Sequence, residues 1–506
     1  DLTFTRASTA TRVNAEGLIE EVPVNLLQQS NTFDTTWVNT NSTDTGGQAD
    51  KDGGTTACLL ESTTASGEAY LRQTISASGL RTFSIYAKAG TADFLGIYIN
   101  ATTGSDPYVY FNLSSGAVGT TGTAATPSIV SVGSGWYRCS VAYDATIANI
   151  DVYVTTANGS FLSTTGDNIY IQDAQLNIGA TAKPYFPTTD RLNVPRIDYT
   201  GGGCGKLLLE PQRTNYWTNS EGSDITLISP LGEFGFYTLN NTNQSRVITY
   251  AGTITFTFIV KKIDGTIPII TTSSGSGDLV VLVSGSSSVG VSGVLTDIGN
   301  GFYKYELTTS ASGSSVARIQ NNSGVDIYIS LIQYEDGSYS TSLINTTSTA
   351  VTRLADSASK SGISSLINSV EGVLYVELSF SSKLAGSIIS INDASNNNIV
   401  LLGYASNTNS IRAIVKSSNV SQCDLRGSDI NINQFYKIAL KYKINDFSLW
   451  VNGVEVATDL SGIAPLNLSK FEFSETTSNF FYGNVQNLMI FPSALSDTQL
   501  ATLTTL

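Results

Sequence analysis

Not one of the 506 residues is histidine, which removes Ser-His-Asp and Cys-His nucleophilic sites and every imidazole metal site. Hydrolysis by paired carboxylates is the remaining chemistry. The adjacent Glu20 and Glu21 do not supply it, because neighbours on a strand point to opposite faces; solvated or salt-bridged carboxylates are the better reading. No catalytic residue is assigned. Cys58, Cys139, Cys204 and Cys423 are scattered, with no CxxC and no metal-ligand spacing. Free buried thiols are expected, and Cys58 with Cys139 is the one pair inside a single domain that a disulfide could join.

Recognition without bond making asks for other residues. A pyranose ring offers CH faces for stacking and hydroxyls for hydrogen bonds, so a sugar site needs exposed aromatic rings beside Asn, Asp or Gln. In FSLWVNGVEV, Phe447, Leu449 and Val451 share one face, and Val454 and Val456 continue it across the two-residue turn Asn452-Gly453. Trp450 then lies on the opposite face with Ser448 and Glu455. Trp450 and Glu455 are the candidate carbohydrate contacts, and the alternative for Trp450 is cover by a neighbouring domain or subunit. Trp136 and Phe302 read as core aromatics. Trp37 and Trp217 read as strand-edge packing. Asp393, Asn396, Asn397 and Asn398 put hard oxygen donors on one loop, which makes Ca²⁺ the one cofactor candidate; with a single charge among them, they also read as a polar turn.

The elements that must position these residues are strands. Ser, Thr, Gly and Asn pervade the chain, only 13% of residues are charged, and β-branched and aromatic residues alternate with polar ones. That pattern predicts an all-β protein of tandem antiparallel β-sandwiches, and the length predicts three or four domains. The net charge of −14, with no basic cluster, disfavours nucleic acid and suits uncharged partners. No apolar run approaches the length that crosses a bilayer, and no basic start precedes an apolar stretch, so no membrane insertion and no signal peptide are expected. The first residue is not Met, so residues upstream are expected.

A degenerate repeat divides the chain. NLLQQSNTFDTTW from Asn25 is similar to NYWTNSEGSDITL from Asn215; TFSIYAK from Thr82 to TFTFIVK from Thr255; GSGWYRCSV from Gly133 to GNGFYKYEL from Gly299; and NIYIQDAQLNIG from Asn168 to DIYISLIQYEDG from Asp326. The second copy is shorter between landmarks, as loop trimming between retained strands produces. Two jelly-roll sandwiches are expected, 26–190 and 214–350. Removing the first joins ATRVNAEGLIEEVPVN to NVPRIDYTGGGCGKLLLEPQRTN, so 1–25 and 191–213 are expected to form one small discontinuous β unit carrying an inserted domain.

Residues 351–371 read as a linker with a short helix, from the spacing of Ile363, Leu366 and Ile367. A third domain follows over 372–506. Its YKIALKYKI alternates Tyr436, Ile438, Leu440 and Tyr442 against Lys437, Lys441 and Lys443, the pattern of a half-buried antiparallel strand. Ser496 and Gln499 are placed as a capping box before a final helical turn.

The pieces TRASTATRVNAEGLIEEV, NVPRIDY, LLLEPQRTN, GSGWYR, INTTSTAVTRLAD and ISSLINSVEGVLYVE together resemble a family of tailed-bacteriophage virion proteins. These combine carbohydrate-binding-module-like jelly rolls with a C-terminal concanavalin A-like (laminin G-like) lectin domain, which the closing FEFSETTSNFFYGNVQNLMIFPSALSDTQLATL also resembles. The inserted first sandwich departs from the family pattern. Glucanases of the concanavalin A-like fold carry a strand motif ExDxE, which this chain lacks, so the resemblance implies a non-enzyme. It implies a fibre, spike or appendage acting as an adhesin on host cell-surface glycans, or alternatively a head or tail decoration protein that binds other virion proteins and no glycan. It also implies a homotrimer located in the virion, outside cells, after assembly in the bacterial host cytoplasm.

Overall fold

The computed structural model describes residues 2–506 apart from 7, 23, 78, 190–194, 223–226, 228, 233, 241, 273–276, 284–292, 347 and 384–386. Residues 193–194 of the NVPR motif and 223–226 of the second-copy landmark lie outside the described residues. The protein is nearly all β, with 56% strand and 2% helix, so its elements are set by alternation rather than by helical periodicity. It divides into two compact units, Pro23–Val194, and Asp1–Val22 together with Pro195–Leu506.

The unit Pro23–Val194 is a sandwich of two antiparallel sheets. One runs Ala117–Thr121, Tyr108–Asn112, Phe94–Ala101, Ile147–Thr155, Gly67–Ala77 and Leu162–Ser163, with Trp37–Thr40 also paired to Gly67–Ala77. The other runs Thr126–Gly133, Trp136–Asp144, Leu80–Ala89, Asn168–Ile178, Ala57–Ser62 and Ser42–Gln48. Alternate residues of each strand meet in the middle: Leu71, Ile97, Val109 and Val152 from the first sheet, Phe83, Ile85, Val141 and Ile171 from the second.

In the larger unit the second sandwich is one continuous nine-stranded sheet rather than two. Its spine is a pair of 20-residue strands, Asn243–Lys262 and Phe302–Asn321, in register throughout. Ile248 and Ile319 near one end of that pair share a core with Phe256 and Tyr305 near the other. Midway sit Gly252 and Gly313, with φ of 137° and 98°, a conformation that residues with a Cβ rarely adopt. They let one long hairpin serve both layers.

The C-terminal domain packs two seven-stranded sheets. The first is ordered Thr3–Thr5, Ser357–Ser361, Lys470–Glu472, Ile388–Asn392, Ile399–Ala405, Ser410–Ser417, Val420–Asp429; the second Arg196–Asp198, Lys206–Leu209, Gly483–Phe491, Glu371–Phe380, Phe435–Lys443, Phe447–Val451, Val454–Asp459. The segments expected to form a small unit of their own instead supply edge strands to both sheets, and Phe4 and Leu209 enter the domain's core. Their two halves meet where Val13 N donates to Asp198 Oδ1 at 2.9 Å and Tyr199 N to Val13 O at 3.0 Å.

No helix forms around Ile363. Ser357–Ser361 is a strand between Thr3–Thr5 and Lys470–Glu472, and a turn follows in which Leu366 N donates to Ile363 O. Ile363 and Ile367 do reach the core while Leu366 is exposed. The apolar spacing marked burial, but the pairing of an edge strand decided the backbone.

Five motif residues then converge. Arg6 and Arg196 both bond Asp356, the first at 3.1 Å; Arg196 and Arg353 both reach Glu210, at 2.6 and 2.8 Å; Ser342 Oγ joins Arg196 and Glu210 at 2.6 Å. All are buried. Charges removed from water are tolerated only when paired and hydrogen-bonded, and here every carboxylate has two guanidinium partners.

Candidate functional site

Trp450 lies on the sheet face away from Leu449 and Val451, opposite Glu455, as alternation requires. The ring is no open platform. It is 7% exposed, packed with Val373, Tyr375, Ala439 and Leu500, and its Nε1 donates to Ser448 Oγ at 3.0 Å. The cover is the chain's own C-terminal helix Asp497–Thr504, begun by the Ser496–Gln499 capping box. Gly453 N donates to Thr504 Oγ1, and Lys441 Nζ lies 3.3 Å from Asp497, which fasten that helix to the sheet. Glu455 is exposed, and so is Val454, which pairs Val451 beside the turn at the edge of the sheet; a bulge lies further along, between the Trp450–Glu455 and Leu449–Ala457 pairs.

The Asp393 loop is internally satisfied. Asp393 accepts from Ser395 N and Oγ and from Asn398 Nδ2; Asn396 Oδ1 accepts from Thr476; Asn398 Oδ1 accepts from Ser418 N and Leu466 N. These are the bonds of a polar turn, and among the described residues no group of three His, Cys, Asp or Glu could hold a metal ion. Trp136, Phe302, Trp37 and Trp217 are all buried. Cys58, Cys139 and Cys423 are free and buried, Cys204 free and exposed. Burial pushes the Cys58 thiol up to about 12, with the Asp44 carboxylate adding to it. Glu20 bridges Arg12 at 2.9 Å.

The described surface richest in recognition chemistry is the outer face of the first sandwich. On Gly67–Ala77, Ala69 and Leu71 point inward, so Tyr70 and Arg72 point out. The same rule turns out Tyr98 between Ile97 and Ile99, Tyr108 and Tyr110 around Val109, and Asp151 and Tyr153 around Val152. Phe161 arrives from the loop before Leu162–Ser163 and lies over this face, with ring centroids 4.3 Å from Tyr153 and 4.6 Å from Tyr110, and edge-on to Tyr98 at 5.9 Å. It fits because residue 96 is glycine; a Cβ there would stand 2.8 Å from the Phe161 ring. Asn158 Oδ1, accepting from Thr120 N, holds the loop. Tyr70, Tyr98, Tyr108 and Phe161 remain half-buried.

Polar groups sit among these rings. Arg72 donates to both oxygens of the buried Asp151 at 2.6 Å and stacks over Tyr70 at 4.9 Å. Tyr98 Oη donates to Asp106, which also takes the Ala101 amide, and Tyr153 Oη lies 3.4 Å from Glu68. The bond to Asp106, helped by burial, pushes the Tyr98 phenol up to about 12. Half-buried rings beside fixed acceptors are what a saccharide requires. The five tyrosines are readable by the rule that singles out Trp450, since each alternates with inward apolar residues.

Residues 375–501 match the concanavalin A-like lectin/glucanases superfamily. They form a concanavalin A-like, laminin G-like lectin domain. No curated protein matches the chain. Similar solved structures include domain 4 of AbnA, an extracellular arabinanase from Geobacillus stearothermophilus in complex with arabinotriose (16% identity, 30% of this chain and 73% of that one, TM-score 0.25). Others are the LG1-3 region of the laminin alpha2 chain (11%, 86% and 97%, TM-score 0.21) and Trypanosoma rangeli sialidase with the inhibitor DANA (9%, 99% and 98%, TM-score 0.24). At these TM-scores none of the three bears on function.

Proposed function

We propose that this is a non-catalytic carbohydrate-binding protein, a fibre, spike or appendage component of a tailed-phage virion that contacts host surface glycans. The observation that carries the reading is the tyrosine face of the first sandwich, where Tyr70, Tyr98, Tyr108 and Phe161 are half-buried beside Asp106 and Glu68. The C-terminal lectin-like domain supports glycan binding, and the phage attribution rests on the resemblance of the TRASTATR, NVPR, LLLEPQRTN and VTRLAD motifs alone. The non-catalytic reading rests on the absence of the ExDxE strand motif that glucanases of the concanavalin A-like fold carry; on the face itself Asp151 is bound to Arg72, and Asp106 accepts from Tyr98 and the Ala101 amide.

The full chain on an array of bacterial surface polysaccharides tests this. Binding should appear without release of reducing ends, and Tyr98→Ala should weaken it roughly fivefold to tenfold, the loss of one stacked ring, with an unchanged circular dichroism spectrum. Silence across the array, or binding indifferent to Tyr98 and Phe161, defeats the reading.

A second reading, a decoration protein that binds other virion proteins, is favoured by one rim of the lectin domain. There Val420, Ile444, Leu460, Ile463 and Leu466 are each more than half exposed, with neighbouring segments joined by Asn445 N to Gly462 O and by Ile463 N to the Gln422 side-chain oxygen. Exposed aliphatic clusters of this kind serve protein contacts. Association with purified virion components that Leu460→Ser abolishes would establish it.

A further inference from the structure

We propose that the tyrosine face of the first sandwich selects glycans that carry a free, protonated amine. This rests on the sugar-binding reading above and names the class of sugar.

The charged side chains on that face are Glu68, Arg72, Asp106 and Asp151. Arg72 and Asp151 neutralise each other through two 2.6 Å bonds. Glu68 and Asp106 have no cationic partner among the described residues; Glu68 is exposed and Asp106 half-buried. The face therefore holds two uncompensated carboxylates and no free cation.

Its hydroxyls are biased the same way. Tyr98 gives its proton to Asp106, and the Tyr153 hydroxyl faces Glu68. Oxygens whose protons are engaged can only accept further hydrogen bonds, so these two hydroxyls add acceptors beside the two carboxylates. The rings add their negative π-faces, which attract cations, most strongly where water is partly excluded. An ammonium group brings three donors and a positive charge to this environment. A carboxylated or sulfated sugar brings acceptors and a negative charge, and is repelled. An N-acetylated sugar keeps the ring for stacking but loses the charge and two of the three donors.

The experiment is titration calorimetry of the full chain with β-1,4-linked glucosamine oligomers, the fully N-acetylated oligomers of the same length, and a uronic acid oligomer, near pH 6 at low salt. The expected result is binding of the glucosamine oligomer roughly tenfold tighter than the N-acetylated one, with none for the uronate. Glu68→Gln combined with Asp106→Asn should erase the preference by removing both charges at nearly unchanged shape, one acceptor oxygen of each becoming a donor amide, and a thermal melt verifies that the variant is folded. Because the whole chain is acidic, Tyr98→Ala is the control for diffuse attraction: glucosamine binding unmoved by it overturns the proposal. Equal or tighter Tyr98-dependent binding of the N-acetylated or uronate oligomer overturns the amine selection and leaves the sugar-binding reading standing. Failure of all three oligomers also overturns it, and the sugar-binding reading then stands or falls on the wider polysaccharide array.

Discussion

Asn25 and Asn215, at matching landmarks of the two repeat copies, make the same four hydrogen bonds. Asn25 Nδ2 donates to the carbonyls of Ala174 and Phe186 while its Oδ1 accepts from Leu27 N and Leu176 N. Asn215 does so with Ile332 and Ile344, and with Trp217 N and Tyr334 N. Both are fully buried. A short amide that satisfies two carbonyls and two amides at once pins the incoming chain, the last long strand and the exit loop together. Ser30 with Thr188 and Ser220 with Thr346 repeat a second lock beside it.

Replacing either asparagine by alanine leaves four buried backbone groups without partners, at about 1–3 kcal/mol for each that water cannot reach. Asn25→Ala and Asn215→Ala should each destabilise by about 3 kcal/mol or more. Urea unfolding followed by fluorescence measures it, and a loss under about 1 kcal/mol would mean that water replaces the lock.

The buried ion network predicts a pH dependence. Burial pushes Glu210 up, but Arg353, Arg196 and Ser342 outweigh it and hold the carboxyl at about 2, against an ordinary 4.5. A folded-state value below the unfolded one gives stability that is present above about 4.5 and is lost as pH falls toward 2. Unfolding midpoints of the wild type should therefore drop across that window. Asp356→Asn, which breaks the network's other carboxylate, should cost about 3–5 kcal/mol.

The limits of what was legible follow from distance along the chain. Alternation placed Tyr436, Ile438, Leu440 and Tyr442 in the core and Trp450 on the far side of its sheet, because facing is local to a strand. What covers Trp450 is a helix that begins at Asp497, and no periodicity near Trp450 refers to it. The motif residues Arg6 and Asp356 pair across 350 positions, so their charges could be read but their partnership could not. The apolar spacing of Ile363 and Ile367 correctly marked burial and wrongly suggested a helix, since three residues do not separate a helix from a turn whose side chains both reach a core.

The covered tryptophan gives a further test. Trp450→Ala should destabilise the lectin domain by about 3–5 kcal/mol, as for other large buried aromatics. Deleting residues 497–506 should expose the indole and shift its emission to longer wavelength, a change that the same deletion in a Trp450→Phe background should lack.

Gly96 offers the sharpest separation of binding from folding. Its missing side chain makes room for Phe161, since a Cβ at that position would meet the Phe161 ring at 2.8 and 2.9 Å and Tyr153 Cβ at 3.1 Å. Gly96→Ala keeps the strand, because the residue sits mid-strand paired with Tyr110 and Tyr153 and its φ is not in the left-handed region. The added methyl must displace Phe161, at about 1–3 kcal/mol of overpacking. With the ring lifted from Tyr153 and Tyr110, the stacking surface is reshaped while Asp106 and Glu68 stay in place. Glycan affinity should fall roughly tenfold or more in calorimetry, with the melting transition lowered but still cooperative. Phe161→Ala should lower affinity similarly, and Gly96→Ala combined with Phe161→Ala should recover stability without recovering binding. Binding restored in the double variant would show that Phe161 plugs the face rather than forming part of it.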